Sequence, residues 1–462
     1  MRGSFVAALL ALTITSLHAQ ASMPLSLTLS QAEKLALSNS DTLRIQDLKI
    51  QSSARRFALG VRDYLPQLEL GFTTADTVNV AAQDSPSNQL SITVREPVYN
   101  GGRTATQRSL AQLQLTLTQH GAAIAREDVL NDVWDKYHQV LVLQSQRTVK
   151  LGALTQSRQQ LAIAGTERGL GMIREIDLLD VELSVSNQEI DLQSTDTDLE
   201  SAMYALKKSV GLSPDQDLTL EGKIDSNYEG ISIGRSASDF FAIAQRNNLD
   251  VQSAGYKVTQ MEAQLAMARS RFLPQIGASL SFSIAGPDFP LQTPSLVLGL
   301  DISFPEATAP VKGSASGGAT GPTGATRNTS LTVDPLQSVT SGVDDLDAKL
   351  QLEEARAAVR ALTKDLSFQI GQTISTYRRH MTTIGLERQT RDLEQRKLKI
   401  LAQQVSSGSA TRADLLKEET QAANQEVQLL SDILTLIRDE RGLERLLGVE
   451  PGQLVRLAGS TP

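Results

Sequence analysis

The residues in this chain whose types and spacing could do work are charged, and they come as a repeated set. Gly171 is followed by Arg174 and, six residues on, by Asp177; Gly408 is followed by Arg412 and, again six residues on, by Asp414. A carboxylate near a guanidinium can form an ion pair or draw in a cation. Bond-making chemistry has little else to use. The four histidines, His18, His120, His138 and His380, are far apart in sequence. There is no cysteine, which removes a disulfide framework, a thiol nucleophile, a cysteine-ligated metal and a lipid-modified cysteine. No His-Glu-x-x-His, Gly-x-Ser-x-Gly or phosphate-binding glycine loop is present. The reading is therefore not an enzyme, with no cofactor and no metal centre. The formal net charge of -8 argues against nucleic acid as a partner.

The elements that must position these charges are long helices. From Arg103 to Gly165 the chain has no proline and only two internal glycines, Gly121 and Gly152. That predicts one helix of roughly 60 residues, about 90 Å long at about 1.5 Å per residue. Leu110, Leu117 and Ile124, then Leu130 and Tyr137, and Val133 and Val140 lie along seams that bury against another long helix. A second helix runs from about Arg174 to Val210 and stops at Gly211 and Pro214. The hairpin's tip falls near Gly169–Arg174. Aromatics are only 4% of the chain, low for a large globular core and in keeping with long helices.

Before the first rod comes a helix over 30–64, opened by a Ser30–Glu33 capping box, broken near Asn39–Asp41 and ended by Pro66. The period then changes to two. Leu68, Leu70 and Phe72 alternate with Gln67, Glu69 and Gly71; Leu90, Ile92 and Val94 alternate with Ser91, Thr93 and Arg95. These are strands with one apolar face, joined by a polar loop from Asp76 to Asn88.

The same order of segments then starts again. Ser238–Gln275 aligns without gaps on Ser30–Gln67, with Leu273-Pro274-Gln275 on Leu65-Pro66-Gln67. Alternation recurs through Leu280 and Phe282, and through Leu296, Leu298, Leu300 and Ile302. A second rod leads to a tip at Ser406–Thr411, where Asp414-Leu415-Leu416 matches Asp177-Leu178-Leu179 and Asn424-Gln425-Glu426 matches Asn187-Gln188-Glu189. The chain reads as a tandem duplication: a first repeat over 22–236 and a second over 237–462. Between the matched prolines, Pro97 and Pro305, and the tips, the second copy is longer. The added segment, 306–341, is rich in Gly, Ala, Ser, Thr and Pro and reads as mobile low complexity.

Residues 1–21 have the form of a secretory signal peptide, with Arg2, an apolar run from Phe5 to Leu17, and Ala19-Gln20-Ala21 as the cleavage site. Removing them takes away one formal charge, that of Arg2. No other stretch is apolar enough for a membrane-spanning helix. Four strands of nine or ten residues are long enough to cross a bilayer when tilted. Four alone would leave two open edges, which hydrocarbon does not tolerate, and a barrel needs about eight strands. If the strands are in a membrane, two or three chains must close the barrel. The competing reading is a periplasmic coiled-coil protein, structural or adhesive, with no pore.

The Leu-Pro-Gln entry to each strand pair, Glu96-Pro97-Val98-Tyr99-Asn100-Gly101-Gly102-Arg103, the Gly171 and Gly408 tips with their aspartates, and the helix endings Leu206–Leu212 and Leu443–Val449 together resemble the TolC family of outer membrane efflux proteins. The resemblance covers nearly all of 25–455. It implies a mainly α protein with a small β part: a homotrimer whose twelve-stranded barrel in the cell outer membrane continues into an α-helical tunnel in the periplasm. It implies an exit duct for small molecules or proteins in a tripartite efflux or type I secretion system, working with a periplasmic adaptor and an inner-membrane transporter. On that footing Gly171, Met172, Gly408 and Ser409 stand at the adaptor-docking tips. Asp177, Asp414, Arg174 and Arg412 stand at the periplasmic gate, where an arginine would pair with a tip acid of a neighbouring helix. Leu68, Leu70, Phe72, Leu90, Ile92, Val94, Leu280, Phe282, Leu298 and Leu300 form the barrel's outer face, against lipid. Pro305 is followed by 306–341 where the first copy has Asn-Gly-Gly-Arg, a departure from the pattern.

Overall fold

The structure is a computed structural model that describes residues 25–77, 85–304, 310–321, 324–333 and 341–458. The signal peptide over 1–21 and Pro305 lie outside these. Two compact units interleave along the chain, one from Met1–Asn39, Leu130–Ser226 and Arg391–Leu430, the other from Ser40–Val129, Asn227–Thr390 and Ser431–Pro462. Each takes segments from both halves of the sequence.

The elements in order are β1 (Leu25–Leu27), α1 (Leu29–Asn39), α2 (Asp41–Leu59), β2 (Gln67–Thr77), β3 (Ser85–Tyr99), α3 (Arg103–Gly169), α4 (Glu175–Val210) and β4 (Leu218–Leu220). Then come α5 (Ala237–Asn247), α6 (Leu249–Ser270), β5 (Gln275–Gly286), β6 (Thr293–Phe304), β7 (Val311–Thr320), β8 (Gly324–Val333), α7 (Ser341–Ser406), α8 (Arg412–Leu447) and α9 (Leu454–Leu457). A helix pair, a strand hairpin, a rod of 67 or 66 residues and a 36-residue helix thus occur twice. Among the described residues no helix is long and apolar enough to cross a membrane.

Local chemistry sets the boundaries. The break near Asn39–Asp41 is real: Ser40 ends one helix and caps the next, its hydroxyl accepting from the Leu43 N–H. The capping box at the start of α1 sits two residues earlier than Ser30–Glu33. Thr28 and Gln31 form it, each side chain bonded to the other's backbone N–H. The turn into α3 is short. Strand β3 continues through Glu96-Pro97-Val98 to Tyr99, leaving Asn100–Gly102 to turn. Proline is tolerated there because β2 has ended, at Gln67 opposite Arg95, and the pairing with β5 shifts between Pro97 and Tyr99. The loop expected over 76–88 shrinks likewise, since β2 reaches Thr77 and β3 begins at Ser85.

In the first unit β1 and β4 pair in parallel, and the buried Tyr137 hydroxyl lies 3.1 Å from the Leu27 carbonyl and 2.5 Å from that of Glu221. Tyr137, Val133 and Val140, three residues of the expected seams, are all buried.

In the second unit Tyr377 of α7 does a similar job. Its hydroxyl donates toward the Ile231 carbonyl (2.8 Å) and Glu440 (2.7 Å) and accepts from the Ile231 N–H (2.6 Å). Glu440 of α8 also accepts from the Tyr228 hydroxyl at 2.5 Å. Burial pushes the carboxyl of Glu440 up against the opposing pull of these phenols, and burial likewise pushes both phenols up.

The same unit holds one sheet of six antiparallel strands in the order β2-β3-β5-β6-β7-β8. The four expected strands are all there. The segment 306–341 is not the mobile low complexity its composition suggests: of its described residues, Val311–Thr320 and Gly324–Val333 are strands and α7 starts at Ser341. Small residues give no hydrophobic alternation, so their pairing follows from the open edge that β6 offers rather than from their own pattern.

One carboxyl pair of this unit predicts a pH effect. Burial, then a hydrogen bond and repulsion from Asp432, raise Glu387 from 4.5 to about 7. An acid whose folded value is raised costs stability as pH climbs from its unfolded value to its folded one. Glu387→Gln should therefore melt with the parent below about pH 4.5 and above it in temperature past pH 7, by thermal melts across that range. A constant difference at all pH values would exclude this pair as the cause.

Candidate functional site

Two places carry the chemistry. The first is in the unit that holds both hairpin tips. Each tip is closed by the same backbone device. The Met172 N–H reaches the Glu167 carbonyl (2.8 Å) and the Gly171 N–H that of Arg168 (3.0 Å). In the second hairpin the Ser409 N–H reaches Gln404 (2.8 Å) and the Gly408 N–H reaches Val405 (3.1 Å). This crossed pair needs a left-handed residue, and Gly171 and Gly408 both have φ of 75°. Met172, Gly408 and Ser409 are exposed at these turns, as is Leu170.

Asp177 and Asp414 are the third residues of α4 and α8, where a carboxylate complements the helix start. Asp177 accepts from the Arg174 backbone N–H (3.1 Å) and from that guanidinium at 2.7 and 3.0 Å. The Arg174 side chain holds the Asp177 carboxyl below its usual range. Asp414 accepts from the Thr411 hydroxyl (2.6 Å), whose oxygen in turn accepts from the Asp414 N–H (3.1 Å).

The two arginines differ. Arg174 is largely exposed and its ion pair stays within its own helix end. Arg412 stands at the position that Glu175 occupies in the first hairpin. It crosses to α3, holding Glu167 through Nε (2.7 Å) and Nη2 (2.5 Å), and Gln160 through Nη1 (2.9 Å). Both members of the Arg412–Glu167 pair are about three-quarters covered, at 21% and 24% exposure. Hydrogen bonds from Arg412 lower the Glu167 carboxyl. A forked guanidinium–carboxylate contact of this kind is geometrically specific. Sequence reading missed Glu167 and Gln160 because they lie 245 and 252 residues from Arg412. Glu167 lies beyond the rod expected over Arg103–Gly165, in the last turn of α3, which runs on to Gly169.

Beside the tips, α4 and α8 flank a groove of about 830 Å³ whose lining includes Asp180, Asn187, Asp191, Asp414, Lys417 and Asn424. The buried Gln188 bridges there, accepting from Ser157 and donating to Thr420, each at 2.8 Å. Among the described residues no group of three or more metal-ligating side chains gathers.

The second place is the sheet of the other unit. Register puts Leu68, Val94, Leu280 and Leu298 in one row and Leu70, Ile92, Phe282 and Leu296 in the next, with Phe72, Leu90 and Leu300 on the same face. All are exposed, Leu70 at 70%. The other face carries rows such as Gly71, Ser91, Ser283 and Ser295. A contiguous exposed apolar face of this kind marks a surface meant for something other than water.

Comparison with known proteins follows the same line. The pattern of the family described as "Outer membrane efflux protein" matches residues 33–212. The cobalt-zinc-cadmium resistance protein CzcC of Cupriavidus metallidurans is 22% identical over 209 residues, 45% of this chain and 48% of that one. The match thus spans about half the length of that relative. The fold is similar to that of CusC, with a TM-score of 0.75 at 14% identity, covering 93% of this chain and 94% of CusC. It is also similar to the outer membrane protein VceC of Vibrio cholerae, with a TM-score of 0.73 at 14% identity, covering 91% and 96%. Residues 33–212 thus carry the pattern of the outer membrane efflux protein family, and the twice-repeated run of helix pair, strand hairpin and long helical hairpin is a fold this chain shares with CusC and VceC.

Proposed function

We propose that this protein is the outer membrane exit duct of a tripartite efflux or secretion system. Three copies close a barrel with their strands and a periplasmic tunnel with their helices, and solutes delivered by an inner-membrane transporter and a periplasmic adaptor leave through it. The exposed apolar face of the sheet carries this reading. Leu68, Leu70, Phe282 and Leu298 would face water in a lone chain, whereas in a closed barrel they face lipid and every strand edge is paired. A periplasmic coiled coil without a pore leaves that face unexplained. The polar groove between α4 and α8 supports a water-filled interior. The exposed Gly171–Met172 and Gly408–Ser409 turns are the proposed contacts for the adaptor.

In a host lacking this protein, growth in the presence of exported toxic solutes should fall. Cobalt, zinc and cadmium salts form one arm of that test, since CzcC is a resistance protein for those metals, and hydrophobic antibiotics form the other. Unchanged growth in both arms would oppose efflux.

We assign the resting contact of the gate to Arg412 rather than Arg174, with Asp177 and Asp414 as the acidic residues at the tunnel mouth. Arg412→Ala frees α8 from α3, so single-channel conductance in lipid should rise several-fold. Arg174→Ala loses a pair within one helix end, and conductance should stay at the parent's level. Equal conductance in both variants would remove Arg412 from the gate.

A further inference from the structure

We propose that the barrel this chain builds has eighteen strands rather than twelve, closed by β8 of one copy pairing with β2 of the next. The inference rests on the trimeric duct proposed above and concerns how its copies join.

A strand has two edges. Strand β6 gives one to β5 and the other to β7, which pairs with it from Phe304 opposite Val311 to Ser295 opposite Thr320. A neighbour therefore cannot reach β6 anywhere along Ser295–Phe304. Strand β8 covers β7 from Val333 opposite Val311 to Gly324 opposite Thr320. Among the described residues the sheet's open edges are then those of β2 and β8. Unpaired edges are not tolerated in hydrocarbon, so these two must meet across copies.

The directions agree. Each step from β2 to β8 is antiparallel, so β8 runs opposite to β2. The next copy's β2 therefore lies antiparallel to it, and closure keeps the alternation. A two-strand insertion also returns the chain to the end of the sheet from which α7 must start. The lengths agree as well. Strands β7 and β8 have ten residues each, enough to cross a bilayer when tilted.

The faces continue across the insertion. The apolar row of Phe304 extends to Val311 and Val333, and that of Ile302 to Gly313 and Leu331. On the opposite face Ser314 lies against Ser330, with hydroxyls 2.8 Å apart, and Ser316 against Asn328. On the inserted strands Arg327 puts a charge on the apolar face, as Glu96 does on β3. Arg327 lies in register with Gly317 and Leu298, three residues from the start of β8 at Gly324; a cation on the lipid face costs roughly 2–4 kcal/mol at the bilayer midplane and roughly 0–1 kcal/mol near its surfaces. Because barrel diameter grows about linearly with strand number, eighteen strands give a mouth about one and a half times as wide as twelve.

The absence of cysteine makes cross-linking clean. One set of variants pairs Glu69→Cys on β2 with Asn328→Cys or Ser330→Cys on β8. The other pairs Glu69→Cys with Val297→Cys or Gly299→Cys on β6. All these positions share the polar face. On oxidation in outer membranes the β8 set should give covalent trimers on denaturing gels, at least tenfold above the β6 set. Trimers from the β6 set, alone or beside the β8 set, overturn the proposal and leave the trimeric duct standing. Monomers from both sets overturn the duct as well. End-on electron microscopy of the parent in lipid discs counts the strands without any substitution: eighteen supports the proposal and twelve ends it.

Discussion

Leu70→Lys is expected to remove the protein from the outer membrane almost completely, whereas Glu69→Lys at the neighbouring residue is expected to leave it there. The two positions share strand β2 and both are exposed in the single chain. They differ in face. Leu70 stands in the row with Ile92, Phe282 and Leu296, and Glu69 opposite Thr93 on the polar side. A lysine on the lipid face near mid-depth costs about 2–4 kcal/mol per site, and assembly counts it once per copy. On the lumen side a charge already stands at 69, and reversing it leaves it in water. Membrane fractionation with heated and unheated gel samples reads the outcome. Equal losses from the two variants would show that neither face meets lipid.

The second large effect is on folding. Glu440→Ala should lower stability by about 3 kcal/mol, while Glu440→Gln should lose less than about 1 kcal/mol. Glu440 is only 7% exposed. It is held by the Tyr377 hydroxyl, the Tyr228 hydroxyl and the Ile231 N–H, at 2.7, 2.5 and 3.1 Å. Alanine takes the acceptor from the Tyr228 hydroxyl and leaves the Tyr377 hydroxyl and the Ile231 backbone with only each other, in a place where burial already pushes the carboxyl up. Glutamine keeps two of these contacts through its carbonyl oxygen and fills the same space. The Arg388 guanidinium, 2.6 Å from the Tyr228 carbonyl, ties down the same segment, so the loss should appear as earlier release of residues near 228–231. Denaturant titration of the detergent-solubilised protein measures the first effect and hydrogen exchange the second. An alanine variant as stable as the parent would show the network to be dispensable.

Much of the fold could be read from the chain because its signals are local. An unbroken apolar seam through Val133, Tyr137 and Val140 specifies a rod, and those residues are buried in it. Alternation at Leu68, Leu70 and Phe72 specifies a strand, and Gly171 and Gly408 specify where rods turn. The capping box was harder, since Thr28–Gln31 and Ser30–Glu33 fit the same rule two residues apart and only packing chooses between them. Strands β7 and β8 had no local signal, because Gly, Ala and Ser alternate without contrast and depend on an edge provided by β6. The contact of Arg412 with Glu167 joins two hairpins far apart in sequence. Repetition pointed to Arg174 with equal force, although the residue matching it in the second hairpin is Thr411.

Export through this protein requires chains that close a pore together in a bilayer. The most direct measurement is to purify the protein in detergent, weigh the native assembly by light scattering, and record current after insertion into a planar lipid membrane. A mass of three chains with stepwise ion-conducting insertions is the predicted result. A single chain that stays in the aqueous fraction and passes no current would contradict it.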